Sequence, residues 1–69
     1  MSSFNERLKE LRVERNLSQK ELGNLMNMSK MAISHWEGGH SEPSIRQLIL
    51  LSDYFEVSVD YLIGKTDLY

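Results

Sequence analysis

Between Leu17 and Gly39 the chain places two helix starts and one enforced break so close together that the helices they bound can only be short and sharply angled. Ser18 and Glu21 have capping-box spacing, in which the serine oxygen accepts from one free backbone N–H and the glutamate from another, so a helix begins near Gln19. Leu22, Leu25 and Met26 then fall on one face at helical spacing. Asn27 breaks the run, because asparagine tolerates the left-handed conformation that a sharp turn needs. Ser29 caps a second helix that turns Met28, Ala32, Ile33 and Trp36 inward and leaves Lys30, Met31, Ser34 and His35 facing out.

The same punctuation recurs on either side. Ser3 with Glu6 makes another capping box, and Phe4, Leu8 and Leu11 carry a first helix from Phe4 to about Arg15, ended by Asn16. Gly38-Gly39-His40-Ser41-Glu42-Pro43 is a breaker-rich loop, after which Ser44 with Gln47 opens a fourth helix running to about Phe55. Ile45, Leu48, Ile49, Leu51 and Phe55 are available from it for the core. Ser58 caps a final short helix with Val59, Leu62 and Ile63, stopped by Gly64. The expected fold is therefore all-α, five helices in a single domain over residues 1–69, with no strand and no internal repeat.

Composition narrows the function classes. The 69 residues include no cysteine, which excludes disulfides and thiolate metal sites, and no apolar run approaches the roughly 20 residues of a membrane span. The N-terminus also lacks the apolar core of a signal peptide, so a cytoplasmic protein is expected. His35 and His40 are the only histidines, with no ligand pattern around them, and the serines are accounted for as caps; no enzymatic, metal or cofactor site is expected. Gly38-Gly39 is not followed by the Gly-Lys-Ser/Thr of a phosphate-binding loop.

The run Leu-Ser-Gln-x-Glu-Leu from Leu17, Met-Ser-x-x-x-Ile-Ser-x-Trp-Glu-x-Gly from Met28, Glu-Pro-Ser from Glu42 and Val-Ser-x-Asp-Tyr-Leu-Ile-Gly from Val57 resembles the phage repressor and Cro family of helix-turn-helix proteins, also called the xenobiotic-response-element type. The likeness covers about Phe4 to Gly64 and places the helix-turn-helix at about residues 18–37. Two positions depart from the usual pattern: Asn27 stands where a turn glycine is commonest, and Gly23 where an alanine packs the first helix of the pair. A glycine inside a helix costs on the order of 1 kcal/mol relative to alanine.

The resemblance implies a sequence-specific DNA-binding transcriptional regulator, a repressor acting by occupying a palindromic operator as a homodimer. In such proteins the second helix enters the major groove, which assigns base contacts to Lys30, Met31, Ser34 and His35. An exposed thioether beside a lysine suits a thymine methyl; the alternative is an ordinary solvated face. Gln19 and Ser29 sit at helix N-termini, where N–H groups favour phosphate, and Gly39 and His40 follow in a loop able to reach the DNA backbone. Arg12 and Glu37 are implied to form a partly buried ion pair. For the dimer interface the C-terminal third offers surplus apolar residues, of which Tyr54, Tyr61, Ile63 and Leu68 are the expected set. An antitoxin-type module with a protein partner is the competing reading of the same fold, with only Lys65 to Tyr69 spare to hold a toxin.

The net charge of −2 opposes DNA binding taken whole, but its distribution does not. Residues 1–37 hold six basic against five acidic side chains, and residues 38–69 two against five. The half expected to face DNA is the less acidic one.

Overall fold

Every helix among the described residues starts immediately after a serine. The computed structural model describes residues 3–69 and contains α1 (Phe4–Glu14), α2 (Gln19–Met26), α3 (Lys30–Glu37), α4 (Ile45–Phe55) and α5 (Val59–Leu62). The Ser18, Ser29, Ser44 and Ser58 hydroxyls accept from the N–H groups of Glu21, Ala32, Gln47 and Tyr61 at 3.0–3.1 Å. Return bonds run from the Ser18 and Ser44 N–H to the side chains of Glu21 and Gln47, both at 2.8 Å, and from the Ser3 N–H to Glu6 at 3.2 Å. The donated backbone bond holds the Glu21 and Glu6 carboxyls below the ordinary carboxylate value. Each such cap is worth about 1 kcal/mol, which matters for helices this short.

The helix ends are equally uniform. Asn16, Asn27, Gly39, Glu56 and Gly64 all have positive φ, between 57° and 84°, and each follows one helix. One residue further on, the N–H groups of Leu17, Met28, His40, Val57 and Lys65 return to the carbonyls of Arg12, Gly23, His35, Ser52 and Asp60 at 2.7–3.1 Å. These are the six-to-one bonds of Schellman closures, and they satisfy carbonyls that a helix end would leave bare. Glu56 is the costly member, since a glutamate has none of the tolerance for this conformation that glycine or asparagine brings.

The core draws one fully buried residue from each helix: Leu8, Leu22, Ile33, Leu51 and Leu62. Leu11, Trp36, Phe55 and Tyr61 surround them, with the Phe4 ring edge-on to Trp36 at 6.0 Å. Three residues expected inside lie outside. Leu25, Ile45 and Ile49 are 54%, 78% and 49% exposed, because α2 buries Leu22 with Met26 half-buried beside it, and α4 turns Leu48, Leu51, Ser52 and Phe55 to the core. Ile63 ends outside α5, as its C-cap.

Arg7 is buried where the sequence offered only another surface cation. It is 4% exposed, its guanidinium lies 4.0 Å from the Tyr61 ring centre, and Nη2 donates to Asp67. Tyr69 in turn packs on Tyr61 with centroids 4.7 Å apart, so the C-terminal segment is laid back against α1 and α5.

The turn between α2 and α3 explains Gly23. A Cβ there would sit 2.6 Å from the Met28 carbonyl oxygen and 3.3 Å from the Ser29 carbonyl carbon, all backbone, in a segment fixed by the Met28 N–H to Gly23 carbonyl bond at 2.7 Å. With Asn27 forming this turn, close approach replaces the alanine contact.

One ion pair fixes the far end of α3. Arg12 Nε donates to Glu37 Oε2 at 2.6 Å and Nη2 to Oε1 at 3.1 Å, while Nη1 donates to the Leu17 carbonyl at 2.7 Å. The side chains are 13% and 5% exposed, so α1, the α1–α2 link and α3 meet at a largely desolvated junction.

Two stability measurements follow from these contacts. Gly23→Ala is expected to be neutral or destabilising in urea denaturation, because an overpacking cost of about 1–3 kcal/mol cancels or exceeds the gain of about 1 kcal/mol that helix propensity alone offers. A clear stabilisation would show that the turn relaxes freely. Arg12→Ala is expected to destabilise by about 3 kcal/mol or more by stranding the Glu37 carboxylate, and replacing both partners by apolar residues should cost less than replacing one. Additive effects under about 1 kcal/mol each would instead describe a solvated pair.

Candidate nucleic-acid interface

The exposed side of α3 is an outcome of how its other side is held. Ile33 and Trp36 are buried at 0% and 3%, which leaves Lys30, Met31, Ser34 and His35 in solvent, with Met31 67% exposed. These four, with Gln19 and Ser29, line one shallow depression on the molecule. The six residues therefore come together in space from two helices and the turn between them.

Gln19 and Ser29 also have structural work. The Gln19 amide donates to Glu37 Oε1 at 3.2 Å, so it adds α2 to the junction already formed by Arg12 and Glu37. The Ser29 hydroxyl accepts from the Ala32 N–H as a cap, and the residue remains exposed. A brace and a surface contact are compatible in both residues, since each is positioned by the bond it makes.

Gly39 and His40 lie beyond that depression, in the loop that leaves α3. Gly39 has φ 76°, and the His40 N–H returns to the His35 carbonyl at 2.9 Å, which folds His40 back over the end of the helix. The two imidazoles stand 6.0 Å apart between centroids with planes at 71°. Gly39, Ser41 and Glu42 border a separate depression with Asn5, Trp36 and Pro43.

The C-terminal residues expected to form one interface are not gathered into one patch. Tyr61 is buried, 8% exposed, because Arg7 and Tyr69 cover its ring, and it belongs to the core. Tyr54, 37% exposed, borders a groove with Leu25 and Leu50, whereas Ile63, 43% exposed, borders the depression that holds Phe4 and Pro43. Leu68 is 78% exposed in the C-terminal segment. Leu50, one of the surplus apolar residues of the C-terminal third, is about half exposed, and so is Leu25, which the helical spacing points inward. A lone arginine inside the Phe4, Leu8 and Leu11 stripe was the available signal for Arg7.

Among the described residues no three histidine, aspartate or glutamate side chains converge as metal ligands, and no helix is long and apolar enough to cross a membrane.

The helix-turn-helix family profile matches residues 8–62. The chain is 38% identical over 65 residues to the HTH-type transcriptional activator BcrR of Enterococcus faecalis, covering 94% of this chain and 32% of that protein. It is 38% identical over 63 residues to repressor protein C2 of Salmonella phage P22, covering 91% of this chain and 29% of that one. The chain thus spans about a third of the length of either relative. A crystal structure of the P22 c2 repressor in complex with a synthetic operator superposes with a TM-score of 0.86 at 32% identity, covering 96% of this chain and 100% of that one. Five helices punctuated as described, the motifs in order and these likenesses agree: the chain belongs to the phage repressor and Cro type of the helix-turn-helix family.

Proposed function

We propose that this chain is a sequence-specific DNA-binding unit of a transcriptional regulator, a repressor that occupies a near-palindromic operator as a homodimer and acts in the cytoplasm. The single observation that carries the reading is the exposed row Lys30, Met31, Ser34 and His35 on a helix whose opposite face is locked into the core. The P22 c2 repressor, whose structure with a synthetic operator this fold matches, supports double-stranded DNA as the partner.

The chemistry of each side chain suits a groove. Lys30 donates to guanine O6 or N7, Ser34 and His35 offer hydrogen bonds, and the Met31 thioether packs on a thymine methyl. Ser29 and the amides at the start of α3 face a phosphate, and Gln19 does so while bracing Glu37. No part of this scheme needs a cofactor or a catalytic group. Of the relatives, BcrR is named an activator and C2 a repressor, so the family regulates in both senses.

Dimerisation enters for an energetic reason. One eight-residue helix reads only a few base pairs, and two copies double the readout. Of the four residues expected at the contact, Tyr54, Ile63 and Leu68 are exposed and Tyr61 belongs to the core; Tyr54 and Ile63 border separate depressions, and Ile63 is the one chosen for the test below.

Selection of sites from random DNA is expected to return a two-fold sequence with half-sites about 10 bp apart. Met31→Ala should then relax preference at one A·T position by about 1–3 kcal/mol while leaving the salt dependence unchanged. Equal weakening at every base would remove Met31 from the readout. Ile63→Asp should weaken operator binding with little loss of fold stability; an asymmetric selected site bound by a monomer in light scattering would overturn the dimer.

A further inference from the structure

We propose that His35 and His40 form a single clamp for one DNA backbone phosphate and that the clamp works in its protonated form, so that operator binding takes up protons. The inference rests on the DNA-binding reading above and changes His35 from a base contact to a phosphate contact.

Three features of the backbone bring the two rings together. The Schellman closure of α3 joins the His40 N–H to the His35 carbonyl at 2.9 Å, and this motif sets the side chains of the two residues it bonds against each other. The left-handed Gly39, φ 76°, makes that closure possible. Gly38 supplies the space: a Cβ there would lie 2.8 Å from His40 Cδ2 and 3.2 Å from Nε2, so the ring occupies the place a side chain would take. At the other four helix ends the same pairing joins Arg12 with Leu17, Gly23 with Met28, Ser52 with Val57 and Asp60 with Lys65. Only at the end of α3 does it join two titratable groups of the same kind, and these are the only two histidines in the chain.

The surroundings leave the pair unneutralised. Neither imidazole has an ion-pair partner among the described residues. On α3, Lys30 shares the exposed face and Glu37 is turned into Arg12 and Gln19. The loop contributes Glu42, α2 contributes Lys20 and the uncharged Gln19, and α1 contributes the neutral amide of Asn5 near Gly39 and Glu6, which is bonded to Ser3.

Imidazole is the side chain that changes charge between about pH 5 and 8, and the protonated ring donates from both nitrogens. Two such rings, edge to face with centroids 6.0 Å apart, repel when both carry a proton. A phosphodiester oxygen pair accepting from both removes that repulsion, so the bound state holds more protons than the free one. Each proton taken up makes affinity rise about tenfold per pH unit lowered. Each added cation on a phosphate also steepens the fall of log K with log salt by about 0.9.

The test is calorimetric titration of the duplex selected from random DNA, in buffers of different ionisation enthalpy, with the salt slope measured at about pH 6 and pH 8. The expected result is net proton uptake by the wild-type chain, a steeper salt slope at the lower pH, loss of most of both in His35→Gln, and the same loss in His40→Gln with base preference unchanged. Gly38→Ala, whose φ of −84° accepts alanine, should displace the His40 ring and lower the uptake while the thermal melt stays in place. Lys30→Gln should weaken binding at both pH values and keep the uptake. Tight binding with no proton uptake overturns the clamp and leaves the DNA reading standing, as does full uptake in Gly38→Ala. Failure to bind any duplex at either pH and low salt overturns both.

Discussion

The Glu37 carboxylate is the point on which the presentation of α3 depends. It is 5% exposed and receives two hydrogen bonds from Arg12 and one from Gln19, so a single charged group ties α3 to α1 and α2. An eight-residue helix has too little backbone cooperativity to persist in water by itself. Its order comes from Ile33 and Trp36 below and from this junction at its end. Because the attraction is spent in an almost dry site, each partner is costly to lose, whereas the pair as a whole can contribute little net stability. What it supplies is orientation: it holds the last turn of α3 against α1, and hence holds the row from Lys30 to His35 in one pose.

Most of the architecture was legible because helix punctuation is chemical. Five serines start the helices, and asparagine or glycine occupies the left-handed position after four of them, all visible as residue types at fixed offsets. The fifth closure falls on Glu56, a residue with no such signature, and only the surrounding contacts hold it there. Side-chain facing was less legible. Periodicity marks an apolar arc on a helix but not its edges, so it points Leu25, Ile45 and Ile49 inward, whereas the narrower arcs of Leu22 with Met26 and of Leu48, Leu51 and Phe55 fill the interior. Arg7 and Tyr61 failed in the opposite sense. A cation and a phenol bury each other only when a third element, here the segment carrying Asp67 and Tyr69, closes over them, and that element is 60 residues away from Arg7 in sequence at Asp67.

Much of the acidity in the first half of the chain is offset within the fold. Of the five acidic side chains in residues 1–37, Glu6 and Glu21 accept from backbone N–H groups at helix starts and Glu37 is enclosed by Arg12 and Gln19. A carboxylate at a helix N-terminus is offset by the helix dipole, and one paired with an arginine presents a dipole rather than a charge. The local field near α3 is therefore less negative than the net charge of −2 suggests, but no cluster of lysines or arginines makes it strongly positive.

That balance sets the character of the interface. Non-specific affinity scales with the number of phosphates neutralised, and Lys30 with Lys20 offers few permanent cations for it. A weak non-specific background lowers competition from the rest of the genome, so discrimination at base edges does not have to work against strong indiscriminate attraction. On the proposed reading the deficit in attraction is made up by a second recognition helix in a dimer, which adds base contacts, and by charge acquired on binding, which adds a phosphate contact without sequence preference. On the reading proposed above, the closure of α3 sets His35 and His40, 6.0 Å apart between ring centroids, at the end of the exposed row that starts at Lys30.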